Sequence, residues 1–345
     1  MLSKIKNFEF KLSLPFIIKS VAVILFLLIC LTAFNHGKAE GFGFDSFVNR
    51  DYEYGTTVSE RVISGEVDEI TVNWQCGDIE IYQVAAVNVK VYESASKEID
   101  SDMFMDITLD SGELIVNWSE NGVGASKELG KKLVIELPFG YELDSVTING
   151  GDSNIDVKKL VSDAVNLYTA YGKISFDRVE GDEGFVKASY GGIKGSSSKF
   201  ESLTLRANEG DLSLKDSDIY TLNLFTASGN TLFDGDFCEL TAKSYSGNIT
   251  AETKYRPHDV NVSSTSGNIV LSLPSNLSAF GEYKTVSGEF VTDYEFKSEE
   301  EGIIELNAEE YELNLTTTSG NITLNKGERG RQNSYFSKLL GEDEG

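Results

Sequence analysis

Histidine, cysteine and proline are nearly missing from this 345-residue chain, which has 2 His, 3 Cys and 4 Pro. Three cysteines exclude a disulfide-stapled scaffold. His36 and His258 stand far apart, which leaves no His-based metal centre and no His-dependent nucleophilic triad. Positive charge is also scarce: 30 Lys and Arg face 55 Asp and Glu, a net charge of −25. Such a surface excludes nucleic acid as the main partner. Long hydrophobic runs are absent except for one near the amino terminus. What the chain does have is 40% hydrophobic residues, enough for a packed core, and 32 glycines.

The single apolar run sits behind a basic front. Lys4, Lys6, Lys11 and Lys19 oppose one acid, Glu9, and Ser20 to Asn35 carries no charge. Two readings stand. The Val21–Phe34 core has the length of a signal-peptide hydrophobic region, with Gly37-Lys-Ala39 as a cleavage site, and this predicts a secreted product. Alternatively Leu12–Phe34, interrupted by Pro15 and Lys19, is an uncleaved membrane helix, since about 20 residues span a bilayer. We take the anchor as the expectation. In either case the lysines stay inside and the rest of the chain is extracytoplasmic. Cys30 follows Leu27-Leu-Ile29, lacks the small residue that a lipoprotein site wants, and reads as an apolar helix residue. Residues 1–39 hold five Lys and one Glu, so the remainder carries 25 basic and 54 acidic residues, net −29. Residues 40–59, rich in Gly and aromatics, read as a tether.

From residue 146 onward the chain repeats. Strand, Gly-centred turn and strand recur, with turns at Tyr171-Gly-Lys-Ile174, Tyr190-Gly-Gly-Ile193, Glu209-Gly-Asp-Leu212 and Ser228-Gly-Asn-Thr231. They continue as Ser246-Gly-Asn-Ile249, Ser266-Gly-Asn-Ile269, Ser287-Gly-Glu-Phe290 and Ser319-Gly-Asn-Ile322. Starting from Ser153, the turn positions are spaced 19, 19, 19, 19, 18, 20, 21 and 32 residues apart. Apolar residues alternate on both sides, as in Leu203, Leu205 and Ala207 before Gly210 and Leu212 and Leu214 after it. Period two means strands with one buried face. A unit this small cannot bury that face alone, whereas stacked copies can. The predicted fold is all-β: a parallel β-helix, or β-solenoid, of about 19 residues per coil, expected to be right-handed, occupying 146–325. A meander of antiparallel hairpins is the alternative, and the Ser-Gly-Asn turns partly suit it.

In stacked coils Ser228, Ser246 and Ser266 form one column and Asn230, Asn248 and Asn268 the next. The amides are expected to bond side chain to side chain, as in cross-β ladders. Residues 60–145 are β-rich but less regular, and read as a cap over the first apolar layer. The 32-residue spacing implies an inserted charged loop around Ser298–Glu301. The polar tail, 326–345, allows one short helix from Ser334 to Leu340.

These features resemble a bacterial group known as the "putative adhesin" β-strand-repeat family. Its carriers here are the Ser-Gly-Asn-Ile units, the segment Trp74-Gln-Cys-Gly-Asp-Ile-Glu-Ile81 and the junction Leu137-Pro-Phe139. The resemblance covers roughly residues 60–325. It implies extracytoplasmic β-helical domains, often tethered by one membrane helix and in some members associated with envelope-stress regulation. It supplies no ligand and no catalytic residues.

No catalytic, cofactor-binding or metal-ligating constellation stands out. The acidic turns Glu180-Gly-Asp-Glu183 and Asp234-Gly-Asp236 complete no calcium loop and imply at most weak surface Ca²⁺ binding. Lys173, Lys187 and Lys194 are scattered, which argues against a polysaccharide-cleaving β-helix enzyme. Cys76 and Cys238 read as buried thiols, with a long-range disulfide as the alternative. Asn-x-Ser/Thr at Asn117, Asn248, Asn261, Asn276, Asn314 and Asn321 reads as turn chemistry. His258 reads as a surface residue. Tyr168, Tyr171 and Tyr190 are expected to stack on one another or on sugars. The expectation is therefore a non-enzymatic envelope protein anchored at the cell membrane, with an envelope component or envelope protein as partner and its oligomeric state open. A sensory ectodomain is the alternative.

Overall fold

The computed structural model describes residues 52–119, 129–298, 300–307, 311–331 and 334–339. These belong to one compact unit, Val48–Gly345. The anchor and most of the tether predicted for the amino terminus lie outside the described residues. Among the described residues no helix is long and apolar enough to cross a membrane.

The pairings decide between coils and hairpins. In the middle of the chain β7 (Glu142–Tyr171), β8 (Ile174–Tyr190), β9 (Ile193–Ser196), β10 (Lys199–Glu209) and β11 (Leu212–Ser228) follow one another. Next come β12 (Thr231–Ser246), β13 (Ile249–Glu252), β14 (Asp259–Ser266) and β15 (Ile269–Leu273). Every ladder among them is parallel: Ile174 pairs with Ile193, Leu212 with Thr231 and Ile249 with Ile269. The repeat is a solenoid of stacked coils.

Two corners shape each coil. At the first, the glycines form a single vertical file. Gly172, Gly191, Gly210, Gly229, Gly247, Gly267 and Gly320 all have positive φ, between 134° and 155°. A Cβ on Gly210 would meet the Gly191 carbonyl oxygen at 2.3 Å, and one on Gly229 the Gly210 carbonyl oxygen at 2.2 Å. Only glycine permits both the dihedral and the approach. The second corner is turned by single left-handed residues that are not glycine: Lys159, Arg178, Ser197 and Asp216, with φ between 49° and 55°. The 18-residue coil loses its residue at this corner, where Ser217 pairs with Gly235.

Inward residues stack into apolar columns. Leu203, Leu222, Leu240, Val260 and Leu313 line one wall, and Ile174, Ile193, Leu212, Ile249, Ile269 and Ile322 another, all nearly or fully buried. Volumes compensate between layers: a Cβ on Gly195 would lie 2.3 Å from the Phe176 ring, and one on Gly184 would lie 2.9 Å from that of Phe200. Each large ring fills the space a neighbouring glycine leaves.

Both ends depart from chain order. At the amino end are β1 (Thr57–Val62), β2 (Glu69–Val84), β3 (Lys90–Ala95), β4 (Asp106–Asp110), β5 (Glu113–Asn117) and β6 (Lys131–Pro138). β2 pairs in parallel with β7 on one side and with β5 and β6 on the other. The layer first in sequence is thus second in space. At the carboxyl end are β16 (Ala279–Ser287), β17 (Phe290–Thr292), β18 (Ile303–Leu306), β19 (Tyr311–Ser319), β20 (Ile322–Lys326) and helix α1 (Ser334–Leu339). β19 and β20 pair with β14 and β15 below and with β16 and β17 above. Gly320 therefore follows Gly267 in the file, and Gly288 comes last. The 32-residue spacing is not a simple inserted loop. The chain lays down its outermost layer, returns through antiparallel β18, and inserts the penultimate layer afterwards. Antiparallel β1, β3 and β4 serve the amino end in the same way.

The glycine file gives a direct test. Gly229→Ala should lower stability by about 2–4 kcal/mol, from overlap with the preceding carbonyl and the strained dihedral. Gly140 also has positive φ, but nothing lies within 4 Å of its would-be Cβ. Gly140→Ala should cost only about 1–2 kcal/mol. Urea midpoints of the two variants check the order.

Candidate functional site

The turn columns predicted from sequence are present, but they are held differently. Asn248 N–H donates to the Asn230 side-chain oxygen at 3.1 Å, Asn268 N–H to Asn248 at 2.9 Å and Asn321 N–H to Asn268 at 2.8 Å. Each amide oxygen thus caps a backbone donor of the next layer, instead of the amide-to-amide ladder expected. The amide sits beside a turn whose N–H points along the stack, so the backbone is the nearer donor. Asp211 plays the same role for Asn230 N–H at 2.7 Å. Ser228, Ser246 and Ser266 stack through their carbonyls, which accept from Gly210, Gly229 and Gly247 N–H. The columns are structural.

The strand face between the two corners has more chemistry. Its outward residues line up by register: Tyr168 with Lys187, Lys187 with Arg206, Arg206 with Phe225 and Phe225 with Lys243. This row crosses five layers, about 19 Å at about 4.8 Å per layer. The Arg206 guanidinium lies 4.6 Å from the Phe225 ring centroid and 5.7 Å from that of Phe185. Tyr168 and Phe185 are 5.5 Å apart. Burial raises the pKa of Tyr168, keeping its phenol a donor. Tyr245, further along the face, is 69% exposed. None of Lys187, Arg206 and Lys243 forms an ion pair among the described residues. Apart from Glu209, three residues beyond Arg206 on its own strand, and Glu282, in register with Asn314, the acids of this face, Glu183, Glu239, Asp259 and Glu312, form a separate column. It lies four residues back along the strands, about 13 Å away. Between the two runs a column that includes Asn223, Asn261 and Asn314 and ends at Glu282.

Two other clusters are structural. In the amino-terminal cap Lys131 and Glu93 are fully buried and paired at 2.8 Å. The Lys131 amine also donates to the Met103 carbonyl and lies 4.5 Å from the Trp118 ring and 5.2 Å from that of Trp74. Glu93 accepts from Met105 N–H. Burial pushes the Lys131 amine down, opposed by the nearby Glu93 and Asp106 carboxylates. Neither residue could be singled out from sequence, because each looks like one more alternating polar position. The second cluster is a cleft of about 300 Å³ lined by Asp216, Asp218, Asp234, Asp236, Glu252, Lys254 and Arg331. Asp236 is 3% exposed and accepts from Lys254 and Tyr255 N–H. Arg331 reaches it at 3.4 Å. Beyond this clamp, Phe336 of α1 is buried edge-on against Tyr220 and Tyr255. Asp236, from the acidic turn Asp234-Gly-Asp236, thus anchors the tail. Among the described residues no three His, Cys, Asp or Glu gather to hold a metal ion.

The remaining candidates are scattered. Cys76 and Cys238 are both buried and unbridged. Burial raises Cys238 to about 11. His258 is half-buried and stacks on Tyr311 at 4.4 Å. Tyr171 and Tyr190 stack at 4.9 Å beside the glycine file.

The geometry defines a class: a capped parallel β-solenoid that presents a long, regular strand face. The chain belongs to the Toastrack DUF4097 family, whose model matches residues 63–325. It is also similar to three solved structures. One is a "putative adhesin" from Bacteroides fragilis, at 10% identity over 77% of this chain and 96% of that one, TM-score 0.42. Another is a "putative adhesin" from Parabacteroides distasonis, at 13% over 80% and 98%, TM-score 0.29. The third is a "putative cell adhesion protein" from Clostridium sporogenes, at 12% over 79% and 100%, TM-score 0.20. No curated protein matches the chain.

The buried pair generates a prediction. Glu93→Leu strands the Lys131 charge and should cost about 3–5 kcal/mol. Glu93→Leu with Lys131→Met should be less damaging than the single change, because no uncompensated charge is left inside. Denaturant titration of both variants measures this.

Proposed function

We propose that the chain is a non-enzymatic binding module of the bacterial cell envelope, held near the membrane by its amino-terminal segment. The observation that carries this reading is the unpaired row Lys187–Arg206–Phe225–Lys243. A solenoid needs its inward columns and its turns. It does not need three cations and a ring aligned on the outside of a chain with a net charge of −25. The layers fix the spacing of these groups, so a ligand lying along the stack meets several of them at once. Multivalent contact of this kind accumulates affinity from weak single contacts. The mainly parallel hydrogen bonding keeps the face stiff, which lowers the ordering cost of binding.

The test is retention of the full chain, in detergent, on purified cell-wall material. The wild type should be retained, and a variant carrying Lys187→Glu, Arg206→Glu and Lys243→Glu should be lost from the wall fraction at unchanged thermal melting. Equal retention of the two would remove the face as the binding surface. Co-purification with a signalling membrane protein, without wall binding, would favour the sensory reading instead.

A further inference from the structure

We infer that the cation–aromatic row binds a carboxylated linear polysaccharide, of the uronic-acid type, laid parallel to the solenoid axis. This rests on the reading of that face as the binding surface and adds the ligand's chemistry. Three kinds of group converge there, each matching a different part of a uronic acid. Arg206 offers a planar fork suited to a carboxylate, and Lys187 and Lys243 supply charge on either side of it. The rings of Tyr168, Phe185 and Phe225 present flat apolar faces of the kind on which a pyranose ring packs. The neighbouring column supplies uncharged amides for hydroxyls, Asn223 beside Phe225 and Asn261 one layer beyond Lys243.

The overall negative charge does not forbid this contact. Along the strands, Glu209 stands three residues from Arg206, about 10 Å, and the acid column about 13 Å from the row, both beyond the screening length of about 8 Å at physiological ionic strength. Over that distance the local cations dominate. A ligand of bare charge would have no use for the rings, and a neutral glycan no use for three unpaired cations. A uronic-acid polymer uses both, and its linear form matches the row's repeat from layer to layer.

The test is binding of the full chain, in detergent, to immobilised polygalacturonate, with neutral dextran and poly(glycerol phosphate) as comparisons. The expected result is binding to polygalacturonate that weakens as salt is raised, with little binding to either comparison. Arg206 is exposed, so Arg206→Gln should leave folding intact and weaken binding about ten-fold. Phe225→Ala, checked by thermal melting, should weaken it as well. Equal binding to poly(glycerol phosphate), or indifference to Phe225→Ala, would mean a simple charge contact and overturn the inference. Wall retention that depends on Arg206 without polygalacturonate binding would overturn the ligand and leave the binding face standing. Failure on both would remove the face altogether.

Discussion

Everything in this molecule depends on how closely one turn can lie on the next. At the glycine corner the carbonyl of each coil occupies the space where a side chain of the following coil would begin. That contact sets the vertical spacing at the value a parallel ladder requires, and the ladders on either side then stay in register over the whole stack. Once the spacing is set, the rest follows. Aliphatic columns close over one another, Asn and Asp oxygens cap turn amides, and outward side chains fall into straight rows. The left-handed residues at the second corner let the chain turn without glycine, because only one residue per coil bears the strain.

A stack of this kind has a weakness at each end, where apolar residues and unpaired strand edges would face water. The chain meets it in the same manner twice. At both ends the outermost layer and the one beneath it are exchanged relative to chain order, and antiparallel strands line the exchanged pair. The end layer is therefore held by chain on both sides of it in sequence, and it cannot fray without disturbing the layer below. The amino-terminal cap adds the Lys131–Glu93 pair between two tryptophans, and the carboxyl tail folds back to place Arg331 on Asp236 and Phe336 against the side of the stack. The Lys131–Glu93 pair is fully buried, and such a pair adds little net stability although removing one partner is costly.

Such a construction leaves the outward residues free of structural duty. Where they are single and varied, they need no explanation. The row from Tyr168 to Lys243 is neither. Its cations lack carboxylate partners, Phe185 and Phe225 bracket a guanidinium, and most acids of the same face are gathered in another column. That separation of charge by strand position is what makes a functional surface out of a repetitive scaffold, and it is why the proposed role lies on a face and not in a pocket.

Much of this was legible without coordinates. The nineteen-residue period, the alternation on both sides of each turn and the glycine at its centre determined a β-solenoid, because backbone sterics and period-two burial depend only on local sequence. They also singled out the Asn and Ser columns, although not the backbone partners that the Asn oxygens take. Tertiary structure alone decided the rest. The second corner uses Lys, Arg, Ser and Asp in turn, so no residue recurs there to mark a column along the chain. The exchange of end layers involves pairings between segments tens of residues apart, and spacing along the chain does not reveal insertion in space. The cation–aromatic row is assembled from one residue per coil. No window of sequence contains it, and it exists only because the layers stack in register.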